Sequence, residues 1–179
     1  YMKPAARMAA LMELPVKYVW THDAFRVGED GPTHQPVEQE AQIRLLEHLR
    51  NHSGKRSMLV LRPADAAETT VAWKMALEND TSPTALILSR QGVADLPALP
   101  GSDRYSDALH AQKGACVVRD CQDTPDVLLL ASGSEVATLL AGTELLEKNK
   151  GLKVRVVSVI SEGLFREQPQ SYQNEVIPE

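Results

Sequence analysis

The chain has 179 residues, of which 43% are hydrophobic and 24% are charged, and this balance excludes a disordered chain. Its 19 Lys and Arg residues against 24 Asp and Glu residues give a net charge of −5, which argues against a basic nucleic-acid-binding face. No apolar run reaches the roughly 20 residues that a membrane span needs, and the amino-terminal segment lacks the features of a signal peptide. We therefore expect a cytoplasmic protein without nucleic-acid or membrane partners.

The first half of the chain alternates strand-like and helical segments. The predicted strands are short apolar runs at 16–20, 57–61 and 84–88. The predicted helices cover 5–14, 37–52 and 65–79. Apolar residues recur every four positions from Val37 to Leu49, which supports the second helix, and Asp65 three residues before Glu68 is a typical capping-box start for the third. This β-α-β-α-β order predicts a parallel sheet with helices packed on it.

The alternation stops over 92–112, where Pro97, Pro100 and Gly101 leave no clear period, and we interpret this stretch as a linker. It resumes with predicted strands at 115–118, 126–131 and 154–160 and a helix at 134–149 that Gly151 caps. The fold class is therefore α/β, with two small parallel-sheet units in tandem. Both units are expected to be incomplete, since each has about three strands against the roughly five of an average sheet.

Polar residues follow all three strands of the first unit. They are Thr21-His22-Asp23, the segment from Arg62 to Asp65, and Ser89-Arg90-Gln91. Ligands of parallel α/β sheets gather at the carboxyl ends of the strands, where the strand–helix loops converge. Arginine, histidine and carboxylate groups together suit a small anionic, hydroxylated substrate such as a sugar phosphate. The same residue types also serve as helix caps and loop ion pairs, so position alone leaves both interpretations open.

Single residues of this edge are ambiguous. Arg62 precedes a proline and a helix-capping aspartate, which favours a structural role. Asp30 lies between glycines in the stretch GEDG and suits a turn as well as a ligand. Gly133-Ser134 begins a helix and suits either a bound phosphate or an ordinary strand–helix turn. GEDG matches neither the dinucleotide-binding nor the Walker pattern, so ATP and NAD have no support.

The histidines and cysteines do not form a recognisable metal motif. His48 and His52 are four residues apart but lack the glutamate of an HExxH site, so we interpret them as solvated side chains. Cys116 and Cys121 lack CxxC spacing and are expected to be reduced thiols. We therefore expect no metal ligand in this chain.

The residues at 21–40 read THDAFRVGEDGPTHQPVEQE. The block GEDGPTHQP, preceded by THD, resembles the substrate loop of transketolases, and the motifs LRPAD, LILSRQ and ASGSEV follow in that family's order and approximate spacing. The resemblance covers essentially the whole chain. It implies that 1–95 is the later part of a pyrimidine-binding domain, 96–112 a linker, and 113–179 the start of the C-terminal domain.

The resemblance also implies an activity. A transketolase reversibly transfers a two-carbon ketol unit from a ketose phosphate, such as xylulose 5-phosphate, to an aldose phosphate, such as ribose 5-phosphate. It uses thiamine diphosphate and Mg²⁺ and acts as a homodimer in the pentose phosphate pathway. The family's metal and diphosphate segment and its cofactor-activating glutamate are not among these residues. The chain is therefore expected to be a fragment that is inactive alone.

Five residues take roles from the resemblance. His34, Asp30 and His22 match catalytic residues that also bind substrate: His34 lies near the cofactor and the C1 hydroxyl, Asp30 bonds the hydroxyl beside the carbonyl carbon, and His22 lies near the donor phosphate. Arg90 matches the arginine that binds the sugar phosphate, a task for which a planar charged fork is well suited. Tyr1 and His34 match cofactor-binding residues.

Some residues depart from the family pattern, and two other functions remain open. Ala24 stands where the family commonly has Ser, and Phe25-Arg26 replaces Ile-Gly, so the loop gains a charge that bears on acceptor preference. A related thiamine enzyme, such as deoxyxylulose-phosphate synthase or a 2-oxo-acid dehydrogenase, would not combine GEDGPTHQP with LSRQ. A non-catalytic transketolase-like subunit would keep these motifs and lack the activating glutamate.

Overall fold

The first unit carries a small parallel sheet with helices packed on it. The computed structural model describes residues 2–23 and 38–178. The elements of this unit, in chain order, are α1 (Lys3–Leu11), β1 (Lys17–Trp20), α2 (Gln39–His48), β2 (Leu59–Leu61), α3 (Ala66–Glu78) and β3 (Thr84–Ile87). The strand order is β1-β3-β2, and both pairings are parallel. The predicted alternation of strands and helices is confirmed.

Helix α3 begins as the sequence predicts. The Asp65 carboxylate accepts the N–H of Glu68 at 2.8 Å, and the Glu68 carboxylate reaches back to the N–H of Ala64 at 2.9 Å. These two bonds satisfy backbone donors that have no partner within a helix. The cap therefore fixes where the chain turns from β2 into α3.

The segment interpreted as a linker contains structure of its own. Helix α4 (Arg104–Ala108) runs directly into a 3₁₀ helix (Leu109–Lys113), and both contact α3. Asp103 caps α4 by accepting the N–H groups of Tyr105 and Ser106. A five-residue helix is too short to produce a periodic apolar pattern, which is why sequence reasoning missed it.

The second unit carries a mixed sheet. Its elements are β4 (Cys116–Arg119), β5 (Val127–Ala131), α5 (Glu135–Lys150), β6 (Val154–Ser158), α6 (Glu162–Arg166) and α7 (Gln170–Val176). The strand order is β4-β6-β5, with β5 parallel and β4 antiparallel to β6. The α/β class of two small units is confirmed, but the edge strand β4 runs opposite to the expected parallel direction. Only residues 120–126 join β4 to β5, which is too short for a parallel crossover.

An apolar cluster of buried residues joins the two units. It contains Leu59 and Leu61 of β2 and the inner face of α3, together with Val136 of α5 and Val154 and Val156 of β6. Buried polar contacts cross the same boundary: Ser158 Oγ donates to Glu68 at 3.0 Å, and Ser161 Oγ donates to Glu47. Within the described ranges, no helix is long and apolar enough to cross a membrane.

Candidate functional site

The carboxyl edge of the first sheet brings together residues that follow β1 and β3. The N–H of Leu88 donates to the carbonyl of Trp20 at 2.7 Å, and the N–H of Asp23 donates to the carbonyl of Leu88 at 3.2 Å. The segments that follow β1 and β3 thus stay hydrogen-bonded to each other beyond the ends of the strands. His22 and Arg90 therefore lie at the ends of neighbouring strands, on one edge.

His22 has an unusual backbone conformation. Its φ of +67° lies in the left-handed region, which few residues other than glycine adopt. The side chain is exposed, and its Nδ1 is 2.9 Å from Thr21 Oγ1. This contact engages one ring nitrogen and thereby orients the imidazole.

Arg90 follows β3 and is exposed. Ser89 Oγ donates to the carbonyl of Gln91 at 3.1 Å and thereby closes a local turn around it. Of the residues assigned from the resemblance, the structure therefore places His22 and Arg90 at one edge. Tyr1, Asp30 and His34 lie outside the described residues.

Arg62 is buried beside this edge and pairs with groups from both units. Its Nη2 donates to Asp23 Oδ2 at 3.0 Å and to both Glu135 oxygens at 2.8 Å. Its Nη1 donates to the carbonyl and to the hydroxyl of Ser132, each at 2.9 Å. The structural role expected for Arg62 is confirmed, but its partners were missed, since Ser132 lies 70 residues further along the chain.

Asp23 depends on Arg62 for compensation of its charge. Burial raises the pKa of the Asp23 carboxyl above its ordinary value, and the neighbouring Arg62 offsets this only in part, while Glu135 adds to the rise. Among the described residues, Asp23 Oδ1 has no hydrogen-bond partner. The cluster of Arg62, Asp23 and Glu135 therefore contains more carboxylates than arginines, and its Asp23 directly follows His22.

Gly133 makes room for the Arg62 side chain. A Cβ at this position would lie 2.8 Å from Arg62 Nε, and the φ of +62° also favours glycine. The N–H of Gly133 donates to the Arg62 carbonyl at 3.1 Å. One of the donors that a phosphate at this helix start would need is thus used within the protein, and the phosphate hypothesis for Gly133-Ser134 stays untested.

The described residues contain no group of three or more His, Cys, Asp or Glu side chains that could hold a metal ion. His48 and His52 are exposed. Cys116 is buried, and burial raises the pKa of its thiol well above the ordinary value. It therefore lacks the thiolate character that metal binding and nucleophilic attack require.

Two family models match the chain in succession. The model of the transketolase pyrimidine-binding domain covers residues 1–94, and that of the transketolase-like C-terminal domain covers residues 114–179. The chain belongs to the transketolase family. The predicted family resemblance is therefore confirmed.

Individual transketolases match along nearly the whole chain. The transketolase of Halalkalibacterium halodurans is 49% identical over 99% of this chain. The Campylobacter jejuni transketolase structure is 38% identical over 99% of the chain, with a TM-score of 0.81. The Pichia stipitis transketolase in complex with sedoheptulose 7-phosphate is 36% identical over 98% of the chain, also with a TM-score of 0.81. These matches span 25%, 25% and 23% of the three relatives, so the chain corresponds to about a quarter of each.

Proposed function

We propose that this chain is part of an active transketolase that moves a two-carbon ketol unit from a ketose phosphate to an aldose phosphate. The observation that carries the proposal is the placement of His22 and Arg90 after neighbouring parallel strands. The sugar phosphate of the Pichia stipitis complex supports the substrate class.

Arg90 binds the phosphate of the sugar in this proposal. A guanidinium presents a planar, permanently charged fork that pairs with two phosphate oxygens. His22 binds the same phosphate from the end of β1, through the ring nitrogen that Thr21 does not engage. Together the two side chains would fix the distal end of the sugar, so that its carbonyl is held in a defined place.

The remaining assignments rest on the family resemblance. Asp30 would bond the hydroxyl beside the carbonyl carbon, His34 would move a proton at the C1 hydroxyl, and Tyr1 and His34 would contact the cofactor. Bound thiamine diphosphate supplies the electron sink for the carbon–carbon chemistry. Mg²⁺ and its ligands belong to the part of the enzyme that this chain does not include.

The cellular setting follows from the same family. We propose a cytoplasmic homodimer that acts in the pentose phosphate pathway, with each active site completed by the partner subunit. Since the chain corresponds to about a quarter of its relatives, the 179 residues alone are expected to give no product.

A ketol-transfer assay tests the proposal. The transketolase that contains this chain is given xylulose 5-phosphate and ribose 5-phosphate, with and without thiamine diphosphate and Mg²⁺. We expect sedoheptulose 7-phosphate only when both cofactors are present. Absence of product from folded, cofactor-bound protein would contradict the proposal, and absence of cofactor binding would point to a non-catalytic subunit.

Substitution of Arg90 tests its proposed role in binding the sugar phosphate. Arg90→Ala should reduce kcat/KM for xylulose 5-phosphate by about 30- to 150-fold, mainly through KM, because a charge-assisted bond contributes about 2–3 kcal/mol. The effect on unphosphorylated xylulose should be small. Arg119→Ala, which removes an arginine of β4 that pairs with Glu147 of α5, is the matched control. Equal losses for both sugars would exclude the phosphate role of Arg90.

A further inference from the structure

Two sequence motifs that the proposed function leaves without a role meet in the structure. They are LRPAD, which contains Arg62, and ASGSEV, which contains Ser132 and Glu135. The Arg62 guanidinium donates to Ser132 and Glu135, and its side chain passes so close to Gly133 that only a glycine fits there. The two motifs therefore form a single contact between the first and the second unit.

Arg62 is fixed to the second unit by its main chain as well. Its N–H donates to the carbonyl of Ile160 at 2.9 Å, and its carbonyl accepts the N–H of Gly133. Its side chain is only 6% exposed. A buried arginine held at both ends has little freedom, so its guanidinium occupies a position that the second unit determines.

The same guanidinium is connected to His22 through Asp23. Asp23 directly follows His22, its side chain is 2% exposed, and its carboxylate accepts from Arg62. The left-handed backbone of His22 costs free energy and persists only where neighbouring contacts impose it. The Asp23 side chain and the Asp23 N–H bond to Leu88 are contacts that hold the chain immediately after His22.

We propose that Arg62 is a positioning residue that holds His22 in place through Asp23 and makes this placement depend on the second unit through Ser132 and Glu135. The inference rests on the phosphate-binding role proposed above for His22. It assigns the second unit a part in substrate binding although none of its described residues need touch the substrate.

A purely structural ion pair would have different consequences. Removing a buried arginine interaction destabilises any protein, so stability alone cannot separate the two cases. Arg104 provides the comparison, since its side chain is only 11% exposed and also pairs with two carboxylates, Asp65 and Glu68. It has no bond to Asp23 or His22 among those that the structure describes.

The experiment is a double-mutant cycle in the transketolase that contains this chain. Arg62→Lys keeps the charge but loses the fork, and we expect KM for xylulose 5-phosphate to rise about 10-fold while kcat changes less than about 2-fold. In a His22→Ala background the same substitution should have no further effect on KM, because its route of action is gone. Arg104→Lys should lower the melting temperature without changing KM.

Each outcome has a distinct meaning. If His22→Ala leaves KM for the phosphorylated donor unchanged, the role proposed for His22 fails. If His22→Ala raises KM, two results for Arg62→Lys would overturn its positioning role. One is the same fold increase in KM with and without His22, and the other is no increase in KM in either background. Glu135→Gln, which leaves Arg62 and Asp23 intact, replaces Arg62→Lys if that variant does not fold, with a rise in KM of about 3-fold expected.

Discussion

Arg62 and Arg104 each lie between carboxylates, with side chains 6% and 11% exposed, and they differ in how completely their hydrogen-bonding groups are satisfied. Arg104 donates from Nε and Nη2 to both oxygens of Asp65 and from Nη2 to Glu68. The remaining capacity of these carboxylates is used by the N–H groups of Ala64, Glu68 and Leu96 and by Ser158 Oγ. In this network every carboxylate oxygen accepts at least one bond.

The Arg62 cluster is less complete. Arg62 Nε and Asp23 Oδ1 have no hydrogen-bond partner among the described residues, and Glu40 Oε2 is 3.8 Å from Arg62 Nε. Burial raises the pKa of Asp65, but Arg104 and the backbone N–H groups bring it below the ordinary value. The pKa of Asp23 stays raised. A saturated network holds the fold, whereas the unsaturated one lies at the candidate site.

The largest expected difference is in stability. Asp65→Asn should lower the free energy of unfolding by about 3–5 kcal/mol. Each Asp65 oxygen accepts one bond from Arg104 and one from a backbone N–H, and the substitution turns one of these buried acceptors into an amide donor that faces other donors. Asp23→Asn should cost only about 1–2 kcal/mol, since Arg62 keeps Glu135 as a partner. Urea titration of both variants measures the two losses. Equal losses would show that the two clusters do not differ in this way.

A smaller effect is expected at the glycine beneath Arg62. Gly133→Ala should cost about 2–3 kcal/mol, from backbone strain and from displacement of the arginine side chain. Gly151 is the matched control, because its φ of +66° is similar and no described atom lies within 4 Å of its added Cβ. Gly151→Ala should therefore cost only about 1 kcal/mol of backbone strain. The same cost for both would mean that Arg62 moves aside freely.

The smallest effect is a pH dependence of the free energy of unfolding, with opposite sign for the two aspartates. Asp65 has a lowered folded pKa, so its stabilising contribution is present above the unfolded value near 4 and is lost as pH falls through the folded pKa. Asp23 has a raised folded pKa, so the folded state binds its proton more tightly and stability falls as pH rises from about 4 through the folded pKa.

Unfolding titrations of each Asn variant and the unsubstituted protein between about pH 3 and 7 test this. The stability advantage over Asp65→Asn should grow as pH rises to about 4 and then stay level. The advantage over Asp23→Asn should shrink as pH rises above about 4. Two curves of the same sign would contradict the assignment of the pKa directions.

Much of the fold could be predicted because its signals are local. The cap at Asp65, the αL end of α5 at Gly151 and the short apolar strands all depend on residues close in sequence. The antiparallel direction of β4 left a local signal too, since residues 120–126 are too few for a parallel crossover, whereas the pairing of β4 with the distant β6 could not be predicted. Helix α4 left one local signal that could have found it, the N-cap Asp103.

The candidate site divides in the same way. The shared edge of His22 and Arg90 follows from strand alternation, and the structure places both there. Their roles, and those of Tyr1, Asp30 and His34, stay predictions. The link from Arg62 to Glu135 spans 73 residues, and no periodic pattern encodes which of many carboxylates an arginine will meet.

The apolar cluster shared by the two units cannot form until late in the synthesis of the chain. Leu59 and Leu61 pack in the same cluster as Val154, Val156 and Ile160, which the ribosome adds more than ninety residues later. At about 5–20 residues per second, β2 waits roughly 5–20 seconds for these partners. During that interval the nascent first unit exposes an apolar surface, so a chaperone that binds such surfaces should engage the chain before β6 has emerged.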